Sequence, residues 1–395
     1  MSCLKGNVSK LYISAVVGNL IFFNGVLGFY MKDVGFSYTQ IFSVFALYEI
    51  LIVLLEIPTG AFADLYGFKM SVVLGHFLSA SSCIMIALSP KCYAVFLLWA
   101  VFSAICSTLS SGAMEALQYE SLREEARQGE YPVFRGRLLA IGSVTCAVAT
   151  CAGGVICELA GFSTVVALGG LTGMISTAVL ASMREPGTAR LERQRRGGVL
   201  AQTLESLRAV GSDKALGGIV VTGAAAYAAY GLIQTYSQPC LIRVGITSYA
   251  IVGFISATLL LAFSLLSCLA ARLKDRFGAK RLLAFICGAP ILAFVGLGTL
   301  ERSLLLAPLY LSKIGEGLAD PIVSELAISR CPPGKIATVL SIQSLLASLL
   351  FSIGSLASGF GLDQAGALIT FAAGAGLLFL VFTWGLPQAV SSIQK

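Results

Sequence analysis

Lys313, Glu316 and Asp320 are spaced i, i+3 and i+7 in one apolar segment, with Pro321 and Glu325 just beyond them. At about 100° per residue those spacings put the three charges on one helix face. Acid and base so placed can pair, which lowers the cost of burying them. A carboxylate there could release its proton as a ligand arrives, or the set could be a static ion pair that fixes packing. Both readings stay open. A second acidic face comes from Glu49 and Glu56, seven residues apart and so within about 20° of each other. Glu56 opens Glu-Ile-Pro58-Thr-Gly60 near the end of its segment, whereas Glu49 lies nearer the middle and is the better proton carrier. Glu115 shares a side with Gln118 and Tyr119. Tyr227, Tyr230, Gln234 and Gln238 follow one another at offsets 0, 3, 7 and 11. That stripe would line a cavity for an amphipathic molecule by stacking and hydrogen bonding. Asn19 and Asn24 add amides but diverge too far in angle to form one stripe. The single His76 reads as a packing residue.

These groups are held by apolar elements. The chain of 395 residues is 57% hydrophobic and 12% charged, with a mean hydropathy of +0.86. A water-soluble globule carries about a quarter charged residues, so this is an integral, multi-pass membrane protein whose solvent is the lipid bilayer. A span needs roughly 20 apolar residues, and twelve segments qualify: 11–31, 38–61, 70–89, 92–114, 134–157, 163–183, 215–238, 247–271, 281–300, 303–328, 335–361 and 364–386. Runs of this length satisfy the backbone in hydrocarbon as helices, giving an all-α membrane protein. The first run is too long for the apolar part of a signal peptide and lacks a cleavage site, so it is expected to stay as a span.

The basic residues set the orientation. Of 27 Lys and Arg, all but Lys32, Lys91, Arg243, Arg302 and Lys313 fall on the side of the N-terminus. Bases concentrate on the cytoplasmic side, so both termini are expected there. The net charge of +7 belongs to these loops and does not point to nucleic acid. Eleven scattered cysteines and one histidine, with no C-x-x-C pair, speak against a metal centre. No Gly-x-x-x-x-Gly-Lys-Ser/Thr loop is present, which argues against ATP-driven work by this chain. The one long polar stretch, 184–214, contains an amphipathic run at 199–208 expected to lie on the inner leaflet. It divides the chain into halves 1–183 and 215–395.

The halves echo each other. Gly60-Ala-Phe-Ala-Asp64-Leu-Tyr-Gly67-Phe-Lys69 in the first answers Ala271-Arg-Leu-Lys-Asp275-Arg276-Phe-Gly278-Ala-Lys280-Arg281 in the second. The Asp, Gly and Lys recur at one offset, since 275 − 64, 278 − 67 and 280 − 69 all equal 211. Glycine permits a sharp link between two helices, and an Asp beside it can cap a helix or meet a base. Such loops suit a cytoplasmic latch that forms in one conformation and breaks in the other. Duplicated helical arrays of this kind are a common construction for membrane transporters.

Twelve helices, a basic central linker and the paired loops together resemble the major facilitator superfamily over essentially the whole chain. The family loop runs Gly-x-x-x-Asp-basic-x-Gly-basic-basic. Gly60, Asp64, Gly67 and Lys69 match it in the first copy; Asp275, Arg276, Gly278, Lys280 and Arg281 match it in the second. The resemblance implies two six-helix bundles that move a small organic solute by alternating access, as a monomer without a cofactor and with protons as the coupling ion. The helix-4 arginine tied to proton coupling in the family has no counterpart in 97–112. The helix-5 glycine–proline pattern of exporters is unmet too, for Gly142, Gly153 and Gly154 occur without a proline. The apolar chain and the aromatic-amide stripe still favour efflux of drug-like compounds across a plasma or inner membrane. A nutrient-uptake symporter is the alternative, and a non-transporting sensor or scaffold the competing class.

Overall fold

The computed structural model describes residues 6–186, 213–301, 304–331 and 336–391. The side chains of Asp64, 336–338 and Ser391 lie outside that description, as does the expected amphipathic run at 199–208. The described residues are almost entirely helical. In order they form α1 (Asn7–Gly18), α2 (Leu27–Asp33), α3 (Tyr38–Tyr66), α4 (Phe68–Leu88), α5 (Tyr93–Ser110), α6 (Ala113–Glu124) and α7 (Tyr131–Ala160). Then follow α8 (Phe162–Ala181), α9 (Lys214–Val244), α10 (Tyr249–Phe277), α11 (Ala279–Thr299), α12 (Leu306–Arg330), α13 (Ile336–Gln364) and α14 (Gly366–Ser391).

Among the described residues ten helices are long and apolar enough to cross a membrane. Two of the twelve expected segments differ, each for a physical reason. The segment 306–330 is one continuous helix, α12, but it carries Lys313, Glu316, Asp320 and Glu325 in its length. The segment 11–31, expected as one helix, is two, because the chain leaves helical geometry between Gly18 and Leu27. Asn19 starts the break: its side-chain amide donates to the Ala15 carbonyl at 2.7 Å, a local bond that competes with helix continuation. The break seats Phe22 against α7, where a side chain on Gly153 would collide with the Phe22 carbonyl. Hydroxyls take up the freed carbonyls, Thr172 on Leu20 at 3.2 Å and Ser256 on Gly25 at 2.9 Å. Irregular backbone at membrane depth is tolerated when protein groups satisfy it in this way. A smaller interruption separates α5 from α6 at Gly112, where φ is +61°.

Close packing divides the chain into two compact units. One comprises Met1–Tyr30, Ile50–Gly197 and Ser248–Ala257; the other comprises Met31–Glu49, Gly198–Thr247 and Thr258–Lys395. Three of the boundaries fall inside helices, in α2, α3 and α10, so each of these helices begins in one unit and ends in the other. The first unit has a core of Leu11, Val72, Leu117, Leu122, Phe134 and Leu180. The second is built around Ala226, Tyr230, Ile286, Cys287, Ala319 and Ile322. Large apolar side chains also cover the outside, among them Leu159 (82% exposed) and Leu265 (58%). In water such a surface would aggregate; in a bilayer it meets its own solvent.

Candidate functional site

The paired loops have one geometry. A single residue joins α3 to α4 and a single residue joins α10 to α11: Gly67 with φ +109° and Gly278 with φ +82°. An L side chain is disfavoured at both, so the expectation of a glycine-enabled sharp link describes what is observed. Gly60 sits exposed in the last turns of α3, and Lys69 in the first turn of α4 is half-buried. Asp275, Arg276 and Lys280 are exposed, and the Arg276 guanidinium lies over the Phe277 ring at 5.4 Å. Among the described side chains, a carboxylate from outside the loop caps α4. Glu185 accepts from the Phe68 and Lys69 amides, each at 2.9 Å, tying the end of the first half onto its own loop. Beside it Asn7 bridges Ser121 at 3.2 Å and the Arg184 carbonyl at 2.9 Å. In the second copy Lys274 pairs with Glu325 at 2.5 Å, which puts Glu325 on the loop rather than in the acidic stripe.

In the second unit α12 brings its charges together in two pairs. Lys313 Nζ lies 2.6 Å from Glu316 Oε2, with side chains 11% and 24% exposed. The ammonium also stands over the Phe263 ring at 6.0 Å. One turn further, Asp320 accepts from the Tyr227 hydroxyl of α9 at 2.9 Å. Tyr227 is therefore half-buried against an acid, and Gln234 is exposed. The rest of the expected stripe is not available to line a cavity: Tyr230 is 1% exposed and Gln238 9%. Tyr230 turns into the core and donates to the Ile286 carbonyl at 2.7 Å. Its ring passes where a side chain at position 315 would stand, which is why α12 carries Gly315 there. Glu49 belongs to the same unit. The Ser348 hydroxyl of α13 donates to Glu49 Oε2 at 2.6 Å.

The first unit holds a polar cavity of about 230 Å³ lined by α1, α4, α6 and α7. Asn19, His76, Gln118 and Arg135 face it. Arg135 donates to Gln118 Oε1 at 3.1 Å and pairs with Glu115 Oε1 at 2.5 Å. Asn24 lies apart, in the break between α1 and α2, and reaches Cys146 at 3.9 Å. Glu56 accepts from Ser111 at 3.3 Å, at the α5–α6 interruption. At the tip of that hairpin, outside the spans, the Glu130 and Glu125 carboxylates push the Arg127 guanidinium above its ordinary value.

Sequence spacing found Lys313, Glu316, Asp320, Tyr227, Glu49 and Glu115, and the Lys313–Glu316 pairing, but not the contacts of Asp320 with Tyr227, Glu49 with Ser348 and Glu115 with Arg135. In sequence Arg135 reads only as one of the bases that set the topology. Ser348 had a signal: Ser341, Ser344, Ser348, Ser352 and Ser355 recur at helical spacing. Glu185 stands alone after α8, with nothing to connect it to residues 117 positions earlier.

Helical throughout almost all the described residues, with an apolar exterior, paired glycine-linked loops and a largely buried Lys313–Glu316 pair, the chain has the make-up of a multi-pass membrane protein. The family model for the Major Facilitator Superfamily matches residues 11–355, and the chain belongs to that family. It is a secondary transporter. The fold is similar to that of the nucleoside transporter NupG, with a TM-score of 0.78 at 16% identity over 96% of this chain and 99% of that one. A bacterial homologue of the human lysosomal transporter Spinster, inward-facing and unoccupied, gives 0.71 at 16% identity over 98% and 96%. A D-xylose–proton symporter gives 0.68 at 13% identity over 98% and 95%. No curated protein sequence matches this chain.

Proposed function

We propose that the chain is a proton-coupled carrier of a small, polar, uncharged organic solute, acting as a symporter by alternating access. In this reading it has twelve spans in two six-helix halves, 1–183 and 215–395, joined by the 184–214 linker. Both termini are cytoplasmic, in a plasma or inner membrane, and the carrier works as a monomer. The observation that carries it is the set of carboxylates bonded to hydroxyls and bases inside helices: Glu49 to Ser348, Glu316 to Lys313 and Asp320 to Tyr227. An ionisable group at that depth marks a proton or solute path. A carboxylate held by one neutral hydroxyl can gain a proton without stranding a charge, so Glu49 is the first candidate for the coupling site. The amides and Arg135 of the first-unit cavity suit hydroxyls and ring heteroatoms. Three of the similar folds carry nucleosides, xylose and peptides by their names, which agrees with a polar solute.

Export of amphipathic compounds is the second reading, and the accessible Tyr227–Gln234 pair favours it. It loses the longer aromatic stripe, since Tyr230 and Gln238 are buried. Flux into proteoliposomes under an imposed pH gradient decides between them. The panel is a nucleoside, a pentose, a dipeptide and a lipophilic cation. Accumulation of a neutral solute along the proton gradient is expected. Movement of the cation against it would establish export, and absence of gradient-dependent flux across the panel would leave a sensor or scaffold.

A further inference from the structure

A second duplicated motif lies at the opposite ends of the helices that lead into the paired loops. Gly154 precedes Glu158 by four residues near the end of α7, and Gly359 precedes Asp363 by four near the end of α13. Their targets are also related. Ser37-Tyr38 opens α3 and Ser248-Tyr249 opens α10, and 248 − 37 = 249 − 38 = 211, the offset of the Asp-Gly-Lys loops.

Each acid caps the helix start it faces. Asp363 Oδ1 accepts from the Tyr38 amide at 3.0 Å, and its Oδ2 accepts from the Thr39 amide and hydroxyl, each at 2.7 Å. Glu158 Oε2 accepts from the Ser248 hydroxyl at 3.1 Å and the Ala250 amide at 3.3 Å. The glycine one turn earlier makes the reach possible. A Cβ at Gly359 would lie 2.9 Å from Phe42 Cβ and 3.0 Å from the Thr39 Cα. One at Gly154 would lie 2.8 Å from the Gly253 Cα. Below Asp363 the contact continues down α13, with Ser355 donating to the Phe42 carbonyl at 2.9 Å and Ser352 to the Ala46 carbonyl at 3.3 Å.

We propose that Glu158 and Asp363 are positioning residues of the transport cycle. Each Gly-x-x-x-acid pair is a clamp that holds the start of α10 or α3 in this state and lets it go in the opposite one. The loops at Gly67 and Gly278 act at the other ends of the same two helices, so each helix has a releasable contact at both ends. Helix N-termini attract carboxylates through free amides and the helix dipole. A cap of this kind shifts an equilibrium by about two- to thirtyfold, enough to bias a conformation and little enough to be undone in every cycle. Both acids are exposed, so water replaces the lost bonds when the clamp opens.

The proposal rests on the transporter reading above, and the test separates the two. Spin labels are placed at Val34→Cys with Gln364→Cys, and at Leu159→Cys with Ile251→Cys. The background is the full chain with its native cysteines replaced, held in lipid nanodiscs. Asp363→Ala is expected to raise the odds of the longer 34–364 distance by roughly tenfold, within the range of a lost cap. Glu158→Ala does the same for the 159–251 pair, and Asp363→Glu restores the short distance. Gly359→Ala, which keeps the charge and removes only the close approach, shifts the distribution in the same direction, and serves where the alanine variants misfold. Unchanged distributions in folded, monodisperse variants overturn the clamp, even if Tm falls. A membrane-impermeant maleimide applied to the same cysteines reports their side, so a wrong topology shows as cytoplasmic labelling with the clamp intact. Flux assays that stay silent while the distances respond would remove the transporter reading alone.

Discussion

The Ser348 hydroxyl sits 2.6 Å from Glu49 Oε2, the shortest bond in a column of α13 serines that bind α3. Ser352 and Ser355 spend their hydroxyls on backbone carbonyls; Ser348 alone in that column meets an ionisable group. A neutral donor stabilises a carboxylate less than a base would, so the proton can come and go. Glu49→Gln should therefore abolish uphill accumulation while leaving solute exchange at equilibrium, because exchange needs no net proton transfer. Ser348→Ala should weaken accumulation severalfold and shift its pH dependence. Uphill accumulation by Glu49→Gln at the normal level would remove Glu49 as the coupling site.

Lys313 and Glu316 offer a sharper decision between chemistry and packing. Breaking a buried pair strands a charge and costs about 3–5 kcal/mol, whereas replacing both partners with apolar residues is close to neutral. Lys313 is 11% exposed and Glu316 24%, so the lower end of that range applies. Lys313→Met should lower Tm, and Lys313→Met with Glu316→Leu should recover it. If the pair serves transport, the double variant stays inactive despite its recovered stability. Full flux in the double variant assigns the pair to packing alone.

The Asp-Gly-base repeat and the apolar runs were legible in the sequence because each is local: one residue type at a fixed offset, or one composition over twenty residues. Gly67 and Gly278 were readable as hinges for the same reason. Tyr230 was not legible as core, for the residue that admits it is Gly315 on another helix, and period alone cannot tell which face of a wholly apolar helix meets protein. The break after Gly18 is not legible either, since Leu20, Ile21, Phe22 and Phe23 keep the hydropathy of a span while the hydroxyls that support the break come from Thr172 and Ser256. Glu115 is legible in sequence, but its partner Arg135 reads as a topology charge because it sits at the start of α7.

The glycine hinges can be tested without knowing the solute. Gly67 (φ +109°, ψ 153°) and Gly278 (φ +82°, ψ 146°) occupy a region nearly closed to L residues, so alanine there costs roughly 1–3 kcal/mol, and at Gly278 nothing nearby crowds a methyl group. The penalty is thus conformational and falls on the link itself. Gly67→Ala and Gly278→Ala should each slow turnover with little change in expression. Gly35→Ala, which also puts a side chain at positive φ (+97°) in a link outside both loops, serves as the control. Equal loss of turnover in all three would reduce the hinges to general strain.

Glu185 binds two amides of α4 from the start of the 184–214 linker, so the first loop depends on a residue that composition would assign to a connector. Two charge-assisted bonds at a helix N-terminus are worth about 1–2 kcal/mol. Glu185→Ala should lower Tm by a few degrees, and Glu185→Gln, which keeps an acceptor but loses the charge, by about half as much. The effect should shrink as salt rises, because the loop is only partly buried and the dipole contribution is screened. If the latch operates at this loop, Glu185→Ala should also change turnover more than Asn7→Ala does, although Asn7 holds the Arg184 backbone next to it at 2.9 and 3.0 Å. Equal effects of the two variants on turnover would make Glu185 a fastener of the linker and nothing more.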